Sequence, residues 1–513
     1  MGRKPRRVVC AVATLVAAAV LAACGTSSQG VEPTERPSSI GAPSPQNRAD
    51  APNTPPRTLQ TGAERNSSGV VVSGGGSAPY NYGPTVIRED GRYRVWWCSQ
   101  LPGAGPAGDD VLYAESTNAE GPFAAPGGAQ AAPVFSGSGG SFDAMHTCDP
   151  SVIKINGTYY LYYTGAASDD HAHGNAIGVA SSPDGIRWSR MADGQPIVRP
   201  AGDEMRENAY GAGQPAALYL DGWFYLLFTD TSGRAAGWNG AGQFVLRAKE
   251  PTFRTDVQAL EDGGFAPVRS TRSPRTRSVV DAFSADWMWV DALEAFAIAH
   301  QTEHGTTITF WDRDFNRNPY QPLLVKGTWK EGPGLVRRAD GHAPISVGDP
   351  CARVPIDVYR ATRLTQVPQD VPTDIARFGL DVEGVDGCGT RDRALAVLDG
   401  FAVPSPERTI DLLTGGKALR VERRSVAEAM AVRVLDKRPA ALDNVDIPVA
   451  GWVKPGVPAV RAAERPLGFL LADGRLWPIG SEEVAKLNSS RISDVTTSRW
   501  DSYPPGPNLT ALR

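Results

Sequence analysis

Apolar and polar positions divide the chain into four stretches. Val8 to Leu21 is an apolar run, and Gly25 to about Arg65 holds almost no large apolar residue. From residue 66 to 364 the pattern has period two and is rich in aromatics, and beyond it the aromatics thin out. Within the third stretch three segments align without gaps: Tyr82–Trp97, Cys148–Tyr163 and Gly213–Phe228. Each reads as a strand opening on a proline (Pro84, Pro150, Pro215), an Asp-Gly or Asn-Gly turn, and an aromatic second strand. The prolines lie 66 and 65 residues apart. Third strands follow at Val111–Ser116, Ala176–Ser181 and Phe244–Ala248. A fourth unit is expected around Trp287–Val290 and Ala295–His300, and a fifth around Ala343–Thr362. Helical periodicity is absent, and a spacing near 65 residues is too long for the rhythm of a β-sandwich. The pattern predicts an all-β, five-bladed β-propeller over 66–364 and a smaller α+β repeat module over 365–513.

The first stretch changes where the protein is expected to be. Arg3, Lys4, Arg6 and Arg7 precede an apolar run too short to span a bilayer. It ends in Leu21-Ala22-Ala23-Cys24-Gly25, which resembles the bacterial lipobox. Residues 1–23 therefore read as a lipoprotein signal peptide. Cys24 would carry a diacylglycerol on the outer face of the cell membrane, and 24–65 would form a disordered tether. The lipid is then the chain's one expected link to the membrane. A net charge of −4 over 513 residues, with no further Lys/Arg cluster, excludes nucleic acid as an expected partner. Outside the signal four cysteines remain, Cys98, Cys148, Cys351 and Cys388. Free thiols and three disulfide pairings are open, and Cys98–Cys148 with Cys351–Cys388 joins neighbouring segments.

Asp149-Pro150-Ser-Val-Ile-Lys-Ile-Asn-Gly-Thr-Tyr-Tyr-Leu-Tyr-Tyr-Thr-Gly165, followed by Gly178-Val-Ala-Ser-Ser-Pro-Asp-Gly-Ile-Arg-Trp188, resembles glycoside hydrolases of family 43. Gly213-Gln-Pro with Asp221-Gly-Trp-Phe-Tyr-Leu-Leu-Phe-Thr-Asp-Thr231 carries the same resemblance. It implies cleavage of arabinose- or xylose-type polysaccharide by two carboxyl groups at the propeller axis. The family's pattern would place Asp, Asp and Glu before the first three prolines, where this chain has Gly83, Asp149 and Gln214. Asp149 therefore resembles the family's orienting, pKa-tuning residue. The missing acid and base would have to come from elsewhere: Asp143, Glu204, Glu207, Asp281 or Asp286. Inverting hydrolysis with Asp149 tuning Glu204 or Glu207 is one expectation. A glycan-binding propeller without catalysis is the other.

Further candidates follow from position. Tyr80, Tyr82, Tyr210, His146 and Gln214 precede or open strands and are expected to line a sugar cleft. Trp96, Trp97, Tyr160, Tyr162 and Trp223 are expected in the core. No cofactor is required, although related propellers hold an axial calcium that His342 would help bind. The pair His171 and His173 reads as a polar loop. In the C-terminal stretch Gly416–Glu428 repeats as Gly474–Lys486, each a strand running into a helix with Ser425 or Ser481 near the cap. Such repeats resemble those at the ends of bacterial wall proteins, which suggests wall association or a structural cap. The whole is expected to be a monomer acting on polysaccharide.

Overall fold

The turn pairs of the repeat take the conformation their residues favour. Asp90 and Gly91, Asn156 and Gly157, and Asp221 and Gly222 all have φ between +50° and +84°. Two successive positive φ values make the tight turn whose twist matches a hairpin's strands, and Asn, Asp and Gly reach them most cheaply. The computed structural model describes residues 55–105, 108–170, 172–364, 371–443, 445–507 and 509. The signal peptide, Cys24, most of the expected tether and His171 lie outside the described residues.

The protein is mostly strand, as its pattern predicts, and its described helices are short. The first sheet comprises Tyr82–Glu89, Arg92–Ser99, Asp110–Ser116 and Ala132–Phe135. The second comprises His146–Ile155, Thr158–Ala166, Ala176–Ser182 and Ser189–Arg190. The third has Ala212–Leu220, Trp223–Asp230, Gln243–Ala248, Gln258–Glu261 and Gly264–Pro267. The fourth has Ala285–Val290, Ala295–Thr302, Gly305–Asp312 and Leu323–Lys326. The last begins at Glu331–Arg337 and continues through Arg353–Leu364 and Pro372–Glu383. The first strands of successive sheets neighbour one another, and Glu331–Arg337 returns to pair in parallel with Tyr82–Glu89. The result is a closed, propeller-like ring.

Three boundaries differ from the sequence pattern. The last sheet opens at Glu331 rather than near Ala343, because the stretch Val358–Ala361 belongs to its second strand. It also runs past residue 364 to Glu383, with register pairs from Arg353↔Glu383 to Leu364↔Pro372. Finally, Gln60–Thr61 and Arg65–Asn66 pair with Pro372–Glu383, so the chain's beginning supplies the outer edge of its last sheet. Arg65 fixes that closure by ion pairs to Asp381 at 2.6 Å and Asp357 at 3.1 Å. The expected tether therefore ends before this segment. Few large apolar residues are needed here, because backbone hydrogen bonds and charge hold it.

Trp96, Trp97 and Tyr162 are fully buried between sheets. Tyr160 and Trp223 are half-buried, with Lys249 Nζ 3.7 Å above the Trp223 ring. In the C-terminal module Lys417–Val421 leads into the helix Arg424–Met430, and Leu476–Pro478 into Glu482–Leu487. Leu419, Val426, Phe469, Trp477 and Val484 share one core. Neither serine caps as its position suggests. Ser425 lies inside its helix, and Ser481 stands at the cap without a side-chain bond. The disulfide Cys351–Cys388 ties the module to the last sheet, and Cys98–Cys148 joins the first two sheets.

Candidate active site

Four of the first strands carry a proline near their start, and each loses register there. The breaks fall between Tyr82 and Thr85, Cys148 and Ser151, Gly213 and Ala216, and Glu331 and Gly334. Proline offers no N–H to the ladder, so the strand bulges and the preceding residue is released from pairing. Those residues are Gly83, Asp149, Gln214 and Gly332, with φ of +56°, +49°, +49° and +23°. For Asp149 and Gln214 this backbone costs on the order of 1–2 kcal/mol, which the surrounding sheets must overcome. It turns their side chains toward one end of the axis. There Tyr82, Gly83, Asp149, Tyr210, Gln214 and Glu331 are half-buried, each next to at least one buried residue along the chain.

Gly83 lies at the middle of this group. A Cβ on it would stand 3.5 Å from Asp149 Oδ1, and one on Gly332 would stand 3.1 Å from the Gly83 Cα. Asp149 Oδ2 lies 3.4 Å from the Tyr210 hydroxyl. Burial pushes the Asp149 carboxyl up to about 6; Asp109 adds to the rise, while hydrogen bonds from Thr164 and Tyr210 oppose it. Burial pushes Glu331 further, to about 8, with the charge of Asp149 adding to it and the Gly332 N–H opposing it. Neither carboxylate has a cation among the causes of its shift. Burial and the same acids, Asp149 and Glu331 among them, hold the phenols of Tyr82 and Tyr210 well above their usual range. The backbone N–H of Gln214 donates to Thr164 Oγ1 at 2.8 Å, while Gln214 Oε1 is buried without a hydrogen-bond partner.

The sequence-derived candidates divide sharply. Asp149, Tyr82, Tyr210 and Gln214 gather at this end of the axis. His146 stands behind it: its Nδ1 accepts the Asp109 N–H at 3.0 Å, and Asp109 also accepts the Tyr80 hydroxyl. Asp109 Oδ2 is 3.1 Å from the same ring nitrogen. Glu204 and Glu207 are exposed on the loop before the third sheet, Glu204 paired with Arg206 at 2.7 Å. Asp281 is exposed beside Gly237 on the rim. Asp143 is fully buried, bonded to Arg190 and Tyr163, each at 2.8 Å. Asp286 is spent on Arg337 and on the Leu335 N–H at 2.7 Å. These last two therefore have their charge answered by arginine inside the protein.

Glu331 escapes the sequence reading. Its signal is Glu331-Gly332-Pro333, the same residue–residue–Pro opening as Tyr82-Gly83-Pro84 and Cys148-Asp149-Pro150. It lies 118 residues after Pro215 by its proline, close to two repeats, because the fourth unit opens on Ala285-Asp286 without one.

The other end of the axis is closed. Residues 339–343 cross it, taking backbone N–H bonds from Lys154 (2.7 Å), Tyr219 (2.8 Å) and Trp289 (3.2 Å) on three different sheets. His342 lies in this crossing. Its Nε2 donates to the Tyr219 carbonyl at 2.9 Å, and its Nδ1 is 3.1 Å from both Asp291 oxygens. Within the ring the Arg337 guanidinium, fully buried, donates to the carbonyls of Ala217 and Trp287 (both 3.0 Å) and to Thr85 Oγ1 (2.9 Å). It stands 3.1 Å from Asp286. Carbonyls and a carboxylate converging from separate sheets are what an axial cation would need, and a guanidinium already answers them. The residues present do not fit a calcium held through His342. Cys98, Asp109 and Cys148 converge within 4.8 Å, but both sulfurs are consumed in the disulfide and offer no thiolate.

No protein-family profile matches the sequence, and no curated protein is similar to it. Among solved structures, a family 117 glycoside hydrolase of the marine bacterium Zobellia galactanivorans is 14% identical, over 63% of this chain and 92% of its own, with a TM-score of 0.41. An alpha-L-arabinofuranosidase of Podospora anserina is 13% identical, over 63% of this chain and 98% of its own, at 0.38. A sucrose-6-phosphate hydrolase of Lactobacillus gasseri is 10% identical, over 71% and 64%, at 0.40. At such scores the chemistry of the site rests on its own residues.

Proposed function

We propose that the axial pocket hydrolyses a glycosidic bond, with Glu331 as general acid and Asp149 as general base. The observation that carries this is a pair of half-buried carboxyl groups, Asp149 and Glu331, on the two first strands that flank Tyr82–Glu89, with burial raising them to about 6 and about 8. Between those values one is protonated and the other ionised, the combination that acid–base hydrolysis requires. In an inverting reaction Glu331 gives its proton to the leaving glycosidic oxygen as the C–O bond breaks. Water adds to the anomeric carbon and Asp149 takes a proton from it. Tyr82 and Tyr210 stay protonated at all working pH values and can donate to sugar hydroxyls, and Gln214 Oε1 can accept from one. The reaction calls on no cofactor.

The substrate we favour is an arabinose- or xylose-type polysaccharide of the envelope or surroundings. The setting is the outer membrane face, where Cys24 carries the lipid and the C-terminal module contacts the wall. The test is sugar release from arabinans, xylans and envelope polysaccharides by the wild type and by Asp149→Asn and Glu331→Gln. Release lost in both variants supports the assignment; release unchanged in either removes that residue from it. A second reading has its own observation. Gly83 and Gln214 replace acids that the family-43 pattern would place before their prolines. On that reading the protein binds glycan without cutting it, and polysaccharide is retained with no sugar released.

A further inference from the structure

Tryptophan is used in two ways in this protein. Trp96, Trp97, Trp287, Trp289 and Trp477 are at most 2% exposed, whereas Trp238 is 60% exposed and Met205, on the loop that Arg206 ties to Ala236, fully so. An exposed indole on a mobile loop would mean little, but the turn that carries this one is held by hydrogen bonds. The Gly237 N–H donates to the Ala241 carbonyl at 2.6 Å and the Ala241 N–H to the Trp238 carbonyl at 3.0 Å. Asn239 and Gly240 close the turn with φ of +50° and +85°. Asn208 Nδ2 donates to the Asn239 carbonyl at 3.0 Å, and Asn208 Oδ1 accepts the N–H of Tyr210, the residue whose hydroxyl faces Asp149. On the Met205 side, Arg206 reaches the Ala236 carbonyl at 3.3 Å and the Glu204 N–H the Ser232 carbonyl at 3.0 Å.

Topology puts this turn on the pocket face. Ala212, two residues before Gln214, pairs with Asp230, the last residue of the second strand, and the Trp238 loop leaves from there. Neighbouring strands are about 4.8 Å apart, so a loop between second and third strands stands roughly 5–10 Å from the first strand, which carries Gln214. That is the reach of the next sugar ring along a chain. The apolar C–H face of a pyranose or furanose matches the negative face of an indole.

We propose that Trp238, with Met205 on the loop alongside, is a stacking platform for a second sugar unit of a polymeric glycan whose adjoining unit lies in the axial pocket. This rests on the pocket assigned under the proposed function and narrows its substrate to a chain rather than a free monosaccharide glycoside. The test compares arabinan and xylan with the matching p-nitrophenyl glycosides, using the full chain. Retention in affinity gels containing each polysaccharide is measured alongside turnover. Trp238→Ala is expected to raise the ratio of polymer KM to aryl-glycoside KM about tenfold and to abolish retention, with Trp238→Phe restoring most of both. Met205→Ser should move the ratio by a smaller factor. Glu331→Gln separates the two claims, since it should stop turnover and keep Trp238-dependent retention. Retention that depends on Trp238 in a protein that hydrolyses nothing would overturn the hydrolase reading and uphold the platform. A polymer ratio and retention unchanged in Trp238→Ala would overturn the platform, as would a wild type neither retained by nor active on any probe.

Discussion

The two ends of the ring axis are built from the same kinds of residue and used in opposite ways. At the closed end Asp291 faces His342 and Arg338, and these cations hold its carboxyl below the usual range in spite of burial. Burial opposes charge on His342, yet Asp340 and Asp291 hold its imidazole above the usual range. At the open end the charge of Asp149 adds to the rise of Glu331, the Tyr210 hydroxyl stands by Asp149, and both carboxyls rise. Burial is common to both ends. Pairing decides whether a buried charge becomes a fixed strut or a group that exchanges protons near neutral pH.

The largest effect should come from removing either member of the open-end pair. Glu331→Gln or Asp149→Asn should each lower kcat by about 10²–10⁴-fold, with the fold intact by circular dichroism. An effect below tenfold would mean that the carboxyls at this end, like those at the other, are structural.

Next comes the strut inside the ring. Arg337→Met leaves Asp286 buried without its cation, and thermal or urea unfolding should show a loss of about 3–5 kcal/mol. Arg337→Met combined with Asp286→Asn should recover part of it, and added calcium should recover none. A calcium-dependent rise in Tm of the wild type would show instead that the axis takes a metal.

The pH dependence sharpens the contrast further. Hydrolysis should follow a bell with limbs near 6 and 8, the values for Asp149 and Glu331. Gly83→Asp adds a carboxylate beside Asp149 and should move the acid limb upward. Stability has the opposite sign from that of a salt-bridged acid. Glu331 titrates near 8 when folded against 4.5 when unfolded, so the folded form resists ionisation. Its stabilising share is complete below pH 4.5 and lost as pH rises to about 8. Glu331→Gln should therefore raise Tm at pH 9 and leave it unchanged at pH 4. The same gain at both values would place the effect in packing rather than charge.

The smallest expected effect concerns the disulfide beside the pocket. Reducing Cys98–Cys148 should cost about 2–4 kcal/mol of stability. It frees Cys148, the residue before Asp149, and so should broaden the acid limb of the pH profile. An unchanged profile would show that the bulge alone positions Asp149.

Much of this protein is determined by its sequence alone, because the signals are local. Period-two alternation and Asp-Gly or Asn-Gly pairs dictate hairpins whatever surrounds them, and aromatics such as Trp96 and Tyr162 can only be buried on such strands. Prolines before paired strand residues dictate bulges, which is why Asp149, Tyr82 and Gln214 were legible as pocket residues. What tertiary structure decided is which charges meet. Asp143, Asp286, Glu204 and Glu331 carry the same charge, and nothing local shows which of them keeps it unanswered. Arg190, Arg337 and Arg206 neutralise the first three only because ring closure or a loop turn brings them there. Glu331 reaches Asp149 across 182 residues because the last sheet's first strand lies beside the first sheet's. The chain's own beginning pairs with Pro372–Glu383 to complete that last sheet. Electrostatic pairing over such separations depends on distance in space, and no spacing along the chain encodes it.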